Sequence, residues 1–533
     1  LMLHFIPAWY QQDNWWENEQ KWYVRRMHTE FDDTVKQIQL FQRNGSFPYQ
    51  ILLLGFSPNF RHFLHRQSVF RAPYWSCFDA IQEIQRRKAA VLSFHNMKWP
   101  PHMEFIYTPF AVVALREGER FAQIEFSEDG NPIQIDMYEK GELCRRNLYD
   151  DRGFVSSTIL YRGERAVRQD FLMESGAWKL RLFPEDGHVE VNPRYPRFQL
   201  SYQDYERAGV FRQLSYDSLE QVIREVLLAY LGMTEEEDLF CVAMHGQHTR
   251  LLKEALAQKK TILSFFGDRC LPDRQPEARE MIEKADYIIA DSRENSRRIK
   301  GCAGAVAGNI TDISPYDTRV DFGISQQLDV QKILVPVDGM EEGRLLELVQ
   351  TLGKYLPSNK NARVHLFTRL ADYGRKRRLL EQARRALSTA GLPEGWAAEE
   401  ENGQTFAEND LGEAQPLTVL FQVEQCVDEL SVSRCMREQR VLVDMRAVPE
   451  LYLQIAALSM GIPQIVGSRT QFVKQGRNGI ILQDMGKLPA ALRFYLDNLV
   501  NWNDAKVCSY MLGKRYTTDV LMEKWREVIK AIG

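Results

Sequence analysis

The chain has 533 residues, 44% of them hydrophobic and 26% charged, with a formal net charge of −4. That length allows roughly three or four domains with sizeable cores, and that balance excludes both a disordered chain and one built around a polyanion such as nucleic acid. No apolar run approaches the ~18 residues of a membrane-spanning helix, and the start, LMLHFIPAWYQQDNWW, lacks the basic lead and apolar core of a secretory signal. The eight cysteines (Cys77, Cys144, Cys241, Cys270, Cys302, Cys426, Cys435 and Cys508) contain no Cys-x-x-Cys pair and fall mostly in apolar segments, the pattern of reduced thiols in a cytoplasmic protein. Any contact with a membrane is therefore expected to be peripheral, from the cytoplasmic face.

In chain order, an aromatic-rich entry leads to a predicted helix over 29–43, a strand QILLLGF and a second strand AAVLSF at 89–94, the opening of an α/β layer. The texture then changes. Turn pairs at Asp129-Gly130, Lys140-Gly141, Arg152-Gly153, Arg162-Gly163, Ser175-Gly176 and Asp186-Gly187 are each followed by a short alternating stretch such as IQIDMY or WKLRLF. Regular turns with period-two runs between them predict an antiparallel meander inserted into the first domain. After about 215 the α/β grammar returns with SLEQVIREVLLAYLG, LFCVAMHG, TRLLKEALAQ, TILSFF, a helix near 276–284 and YIIAD. Beyond the link NITDISPYDTRVDFGISQQ, strands KILVPV, RVHLFT, LTVLFQV, RVLVDM and PQIVG alternate with helices near 341–356, 373–390, 424–436 and 449–460. Short apolar strands alternating with helices imply right-handed parallel crossovers, hence two facing doubly wound, Rossmann-like domains. The expected division is 1–104 with 208–325 as the first domain, 105–207 as the meander, 326–500 as the second domain, and a helical tail over 501–533 crossing back to the first.

Two facing doubly wound domains, a Gly-x-Pro strand start at Gly461 and Pro463, and a Gly-x-x-Gly turn at Gly476 and Gly479 look like a GT-B glycosyltransferase. The entry FIPAWYQQDNWWENEQKWY, the linker ITDISPYDTRVDFGISQQLDVQKILVPVDGM and the tail phrases NWNDAKV and MEKWREVI resemble, over essentially the whole chain, the accessory secretory protein one family of the bacterial accessory Sec system. The resemblance implies a cytoplasmic subunit that assembles with two sister accessory secretory proteins. It also implies a role in delivering serine-rich-repeat glycoprotein adhesins to a dedicated SecA-type motor and SecY-type channel.

A retaining GT-B enzyme holds its sugar nucleotide with carboxylates and neutralises a diphosphate with cations or helix N-termini. Laid on this chain through Gly461 and Pro463, the family pattern places Val448 and Ala456 where the two acids would stand. Glu450, two residues along, is expected to be turned away, because two helical steps rotate a side chain by roughly 200°. Gln471 stands where a further acid precedes the Gly-x-x-Gly turn, and Glu342 takes the usual lysine position after the first strand of the second domain, with Arg344 as a partial substitute. An anion facing a diphosphate turns an attraction of about 4 kcal/mol into repulsion of similar size. The donor site is therefore expected to be degenerate, with Gly461, Gly476 and Gly479 retained for backbone reasons.

His245 and His248, in MHGQHTR, and Asp268 and Arg269, in GDR, lie just past strands where a doubly wound sheet opens its crevice, and are candidate cleft contacts. Their spacing is poor for a metal, and neither metal nor cofactor is expected. Trp9, Trp15, Trp16 and Trp22 cluster in the entry, either as an aromatic hook packed into its own domain or as partner contacts. The meander, whose edges and exposed face invite protein partners, is the expected place of a subunit contact. The basic helix RKRRLLEQARR could face anionic lipid, although the acids of 391–416 could balance it. No Walker A loop is present. The leading expectation is a non-catalytic GT-B-like subunit of an export complex. The alternatives are an active transferase modifying the same adhesin through Glu450, Arg344 or His245, and a stand-alone carbohydrate-binding protein.

Overall fold

The computed structural model describes residues 1–10, 15, 21, 29–45, 47–202, 204, 206–272, 275–302, 308–319, 321–372, 374–399, 406–408, 414–416 and 419–533. A seven-stranded sheet runs in the order Ile310–Asp312, Tyr287–Ala290, Lys260–Phe265, Leu239–Ala243, Leu3–Ile6, Tyr49–Leu53, Tyr74–Ser76, with every pairing parallel. Leu3–Ile6 and Leu239–Ala243 are buried along their whole lengths, as apolar strands covered by helices on both faces must be. The helix Asp33–Asn44 starts where the Asp32 carboxylate accepts from the Thr34 and Val35 amides, and it stops at Gly45, whose φ of 63° few other residues adopt readily.

A second parallel sheet has six strands in the order Phe421–Gln425, Ala362–Thr368, Gln331–Pro336, Gln439–Asp444, Gln464–Val466, Gly479–Ile481. The direction of winding reverses beside Leu3–Ile6 in one sheet and beside Gln331–Pro336 in the other. The C-terminal strand ends at these two switch points open a crevice apiece.

Between Tyr74–Ser76 and Leu239–Ala243 the chain builds a ten-stranded antiparallel sheet from Met103–Tyr107 at one edge to Ser215–Tyr216 at the other. Lys140 and Gly141 have φ of 51° and 82°, the double positive φ of a tight hairpin turn. This sheet is fixed to the first parallel sheet by a buried ion cluster. The Arg152 guanidinium, 1% exposed, donates to both oxygens of Asp79 at 2.8 Å and to Asp150 at 2.7 Å, and Arg61 Nε donates to Asp151 at 2.5 Å.

Two sequence expectations are corrected. Residues 89–94 form no strand: Val91 is 96% exposed, only a 3-10 turn follows at Phe94–Asn96, and the Ala90 amide donates to the Asp151 carbonyl. An apolar run of six residues cannot distinguish a strand from a linker by periodicity, and here it carries the chain from one sheet to the next. The crossing back also comes later than residue 501. The helix Leu499–Gly513 stays with the second sheet, where Trp502 is buried and donates to the Arg440 carbonyl, and only Thr518–Ile532 packs on the first, placing Trp525 against Phe5 and Phe41.

Candidate functional site

The C-terminal edges of the two parallel sheets face one another across a cleft of about 780 Å³. Its first wall carries Trp9, Asp32, Asp268 and Asp291; its second carries Asp338, Arg369, Arg446, Val448 and Glu450; and Phe31, Tyr316 and Tyr452 form an aromatic floor. The floor also binds the halves together. Tyr316 donates to the Phe31 carbonyl at 2.5 Å, the Phe31 and Tyr452 rings meet edge to face at 4.8 Å, and Arg369 stacks over Phe31 at 3.9 Å. Just outside, Lys36, only 6% exposed, reaches Glu429 at 2.7 Å, and Tyr452 donates to the other oxygen of the same carboxylate.

The charges of the second wall are engaged with one another. Arg446 follows the strand Gln439–Asp444 and turns back onto the fully buried Asp444, with Nε at 2.8 Å and Nη2 at 2.6 Å from its two oxygens, while Nη1 reaches the Asp338 carbonyl at 3.2 Å. Arg369, just past the strand Ala362–Thr368, pairs with Glu450. Asp338 accepts from Thr368 Oγ1 at 2.6 Å, the Arg369 amide at 2.7 Å and Arg375 at 3.1 Å. Burial pushes the Glu450 carboxyl up from its ordinary range, opposed by the two arginines beside it. On the first wall burial raises Asp32 and Asp291 to about 6, with the neighbouring Asp33 adding to the effect at Asp32.

Of the positions singled out from the sequence, Val448 lies on the cleft wall and is 71% exposed there. Ala456 lies off the cleft, in an adjoining depression with Ile455 and Ser459. Gln471 is likewise not a cleft-lining residue; its Oε1 accepts from the Arg293 backbone amide at 2.8 Å, tying the second half to the first turn of the helix Arg293–Lys300. Glu342 does not face the cleft. Its side chain is 58% exposed in the first turn of the helix Glu342–Tyr355, 3.5 Å from Arg385. Arg344 donates to the Met445 carbonyl. The expectation for Glu450 was wrong for a definite reason. It is the N-cap residue and precedes the helix Leu451–Met460, so the helical rotation per residue does not apply and its carboxylate enters the cleft.

His245 caps the helix Gly246–Ala255 through the Gln247 amide. His248 is fully buried: Nε2 donates to the Ala243 carbonyl at 2.7 Å, which leaves Nδ1 to accept from Tyr10 Oη at 2.9 Å. Burial lowers its pKa to about 3. Arg269 is held by Asp32, Asp33 and the Met244 carbonyl, and only Asp268 of this group lines the cleft. Gly461, at φ 71°, ends its helix where a Cβ would lie 2.6 Å from Lys506, and Gly479 lets two strands pair where a Cβ would lie 2.2 Å from the Gln464 carbonyl. Gly476 has φ 69° in a turn with open space around it. Trp9 is 3% exposed and donates to Asp32, and Trp15 packs against the first core; Trp16 and Trp22 lie outside the described residues. In the basic helix Arg375–Thr389, Arg375, Arg377, Arg378 and Arg385 pair with Asp338, Glu381, Asp372 and Glu342, all acids outside 391–416, a segment of which 400–405 and 409–413 lie outside the described residues. Sequence reasoning missed Arg369 and Arg446. Both stand immediately past apolar strands, in RVHLFTR and RVLVDMR, the position from which a side chain reaches a doubly wound crevice.

Two doubly wound sheets with a cleft between their C-terminal edges define a GT-B-like protein. The pneumococcal O-GlcNAc transferase GtfA, solved with UDP and GlcNAc, shares this fold at a TM-score of 0.71 and 10% identity, over 100% of this chain and 99% of that one. The particular family is narrower. The model of the accessory Sec system protein family, accessory secretory protein 1, matches residues 2–532, and the chain belongs to that family. The accessory Sec system protein 1 of Streptococcus gordonii is 31% identical and that of Staphylococcus aureus 30%, each match covering 99% of both chains. Two solved assemblies contain chains that are 28% identical with a TM-score of 0.79. One is a glycosylation-associated protein complex from Streptococcus agalactiae, covering 99% of this chain and 100% of that one. The other is a structure of accessory secretory proteins 1, 2 and 3 from Streptococcus pneumoniae, covering 100% of this chain and 99% of that one. No helix among the described residues is long and apolar enough to cross a membrane.

Proposed function

We propose that this protein is a non-catalytic, GT-B-like subunit of the accessory Sec export complex, acting in the cytoplasm. In this reading it binds the two sister accessory secretory proteins and assists delivery of a serine-rich-repeat glycoprotein adhesin to the SecA-type motor, with any membrane contact peripheral. The observation that carries the proposal is full-length similarity to chains solved inside such assemblies. What supports inactivity is the second wall of the cleft. Arg369 and Arg446 line the cleft just past strands beside the switch point, and each is paired with an internal carboxylate, while the exposed Arg469 also lines the cleft. A diphosphate that takes Arg369 or Arg446 from its carboxylate breaks a pair, and leaving one partner of a buried pair unmatched costs about 3–5 kcal/mol. Absence of a single electrostatic donor already lowers catalysis about 10²- to 10³-fold.

The test is isothermal titration with UDP and with UDP-N-acetylglucosamine, alongside co-expression with the two sister proteins. The expected outcome is no saturable nucleotide binding and stoichiometric co-purification as one complex. Saturable binding that Arg446→Ala abolishes, together with transfer of GlcNAc to the adhesin, would establish the alternative of an active transferase. Glu450 favours that alternative, because it places a carboxylate in the cleft beside two guanidinium groups.

A further inference from the structure

Away from the cleft, the strand Phe421–Gln425 ends beside the helix Glu429–Arg437, and this junction gathers Glu424, Cys426 and Cys435. One ligand atom of each, a carboxylate oxygen and two Sγ atoms, lies within 4.8 Å of the other two. We propose that these three residues bind a thiophilic divalent cation of the zinc class, with the fourth position open to water.

The geometry has four supports. Zinc bonds thiolate sulfur at about 2.3 Å and carboxylate oxygen at about 2.0–2.2 Å, which separates tetrahedral ligand atoms by roughly 3.5–4 Å. The present arrangement, with every separation within 4.8 Å, lies close to that spacing. The turn that returns Cys435 toward Cys426 is fixed by a capping box, in which the Asp428 carboxylate accepts from the Ser431 amide at 2.7 Å and Ser431 Oγ accepts from the Asp428 amide. The site also has an outer layer. His365, 1% exposed in the neighbouring strand, places Nδ1 3.1 Å from Glu424 Oε1, and Gln439 Nε2 donates to Cys435 Sγ at 3.6 Å. Such partners orient ligands, and their loss commonly weakens metal affinity about 10- to 100-fold. One of the positive charges near Glu424, Lys332, is held by Glu438 at 2.5 Å. Binding would displace a proton from each thiol and leave two thiolates and a carboxylate around the cation. The consequence lies in the fold: the same helix carries Glu429, the partner of Lys36 across the two halves, so the cation would brace one end of that tie.

The test uses the full chain, purified with reductant and freed of metal. One equivalent of zinc is added and unbound metal removed by gel filtration. Metal is quantified by mass spectrometry, and the eight thiols are mapped by alkylation with and without zinc. The expected result is one retained zinc and protection of Cys426 and Cys435 alone, with retention lost in Cys426→Ser and Cys435→Ser and affinity about 10- to 100-fold weaker in His365→Asn. Cobalt(II) should give the thiolate-to-metal absorption of a two-sulfur tetrahedral site. The proposal is overturned if the wild-type chain retains no zinc while both thiols remain alkylatable, if the serine variants retain it, or if the two sulfurs are found joined as a disulfide under reductant.

Discussion

His248 is a histidine kept neutral by burial, and that gives it a definite pH signature. Its folded pKa of about 3 lies below the ordinary 6.5, so the stability it contributes is complete above about pH 6.5 and is lost as pH falls, because the unfolded chain takes up a proton that the folded one refuses. Between pH 6 and pH 5 this amounts to about 1 kcal/mol. Asp32 and Asp291 act in the opposite sense: raised from 3.8 to about 6, they favour the folded state below about pH 4, and that contribution is lost as pH rises through 6. Urea unfolding of the wild type and His248→Gln should therefore converge as pH is lowered from 6.5 to 5. Curves that stay parallel would mean that the imidazole is not held neutral. Arg152 makes the larger claim on stability. Arg152→Ala leaves the buried Asp79 without a salt bridge and Asp150 with Arg61 alone, and should cost about 3–5 kcal/mol, whereas Arg152→Met together with Asp79→Leu should recover much of it.

Two elements show what the chain's ends of helices and last turns contribute. Gly461→Ala adds a Cβ at φ 71° against Lys506 and Tyr510, so about 1 kcal/mol or more of stability should be lost, read as a lower melting temperature. Trp525→Ala empties a fully buried site between Phe5 and Phe41 and should cost about 3–5 kcal/mol; limited proteolysis should then cut ahead of the helix Thr518–Ile532, and cleavage no faster than in the wild type would refute its docking. The long elements were legible in the sequence because apolar alternation and helical period persist over many residues, as in Leu219–Leu231 and Pro276–Lys284. Tyr74–Ser76, Ile310–Asp312 and Gly479–Ile481 were missed, being three residues each and too short for any period to register. The cleft was half legible. Its location followed from the strand ends, but which charges meet inside depended on pairings between distant residues, Arg369 with Glu450 and Arg446 with Asp444, that no spacing along the chain encodes.

At the scale of the whole molecule, the ten-stranded sheet stands apart from the cleft and has one edge at Met103–Tyr107, where Ile106 is 48% and Tyr107 64% exposed. An edge of that kind offers backbone groups and apolar side chains to a second protein. If the subunit contact lies there, Ile106→Glu should weaken association with a sister protein at least tenfold in a pull-down titration while leaving the melting temperature unchanged; unaltered association would move the contact elsewhere. The packing of Thr518–Ile532 on the first half also has a consequence in time. Leu3–Ile6 is an interior strand of the first sheet, yet its neighbour Leu239–Ala243, the central strand, and its covering helix are made hundreds of residues later. At ribosomal rates of roughly 5–20 residues per second, about half a minute to two minutes separates the first of these from the last. During synthesis the earliest strand must wait uncovered, and newborn chains are therefore expected to need a chaperone's protection until the final helix emerges.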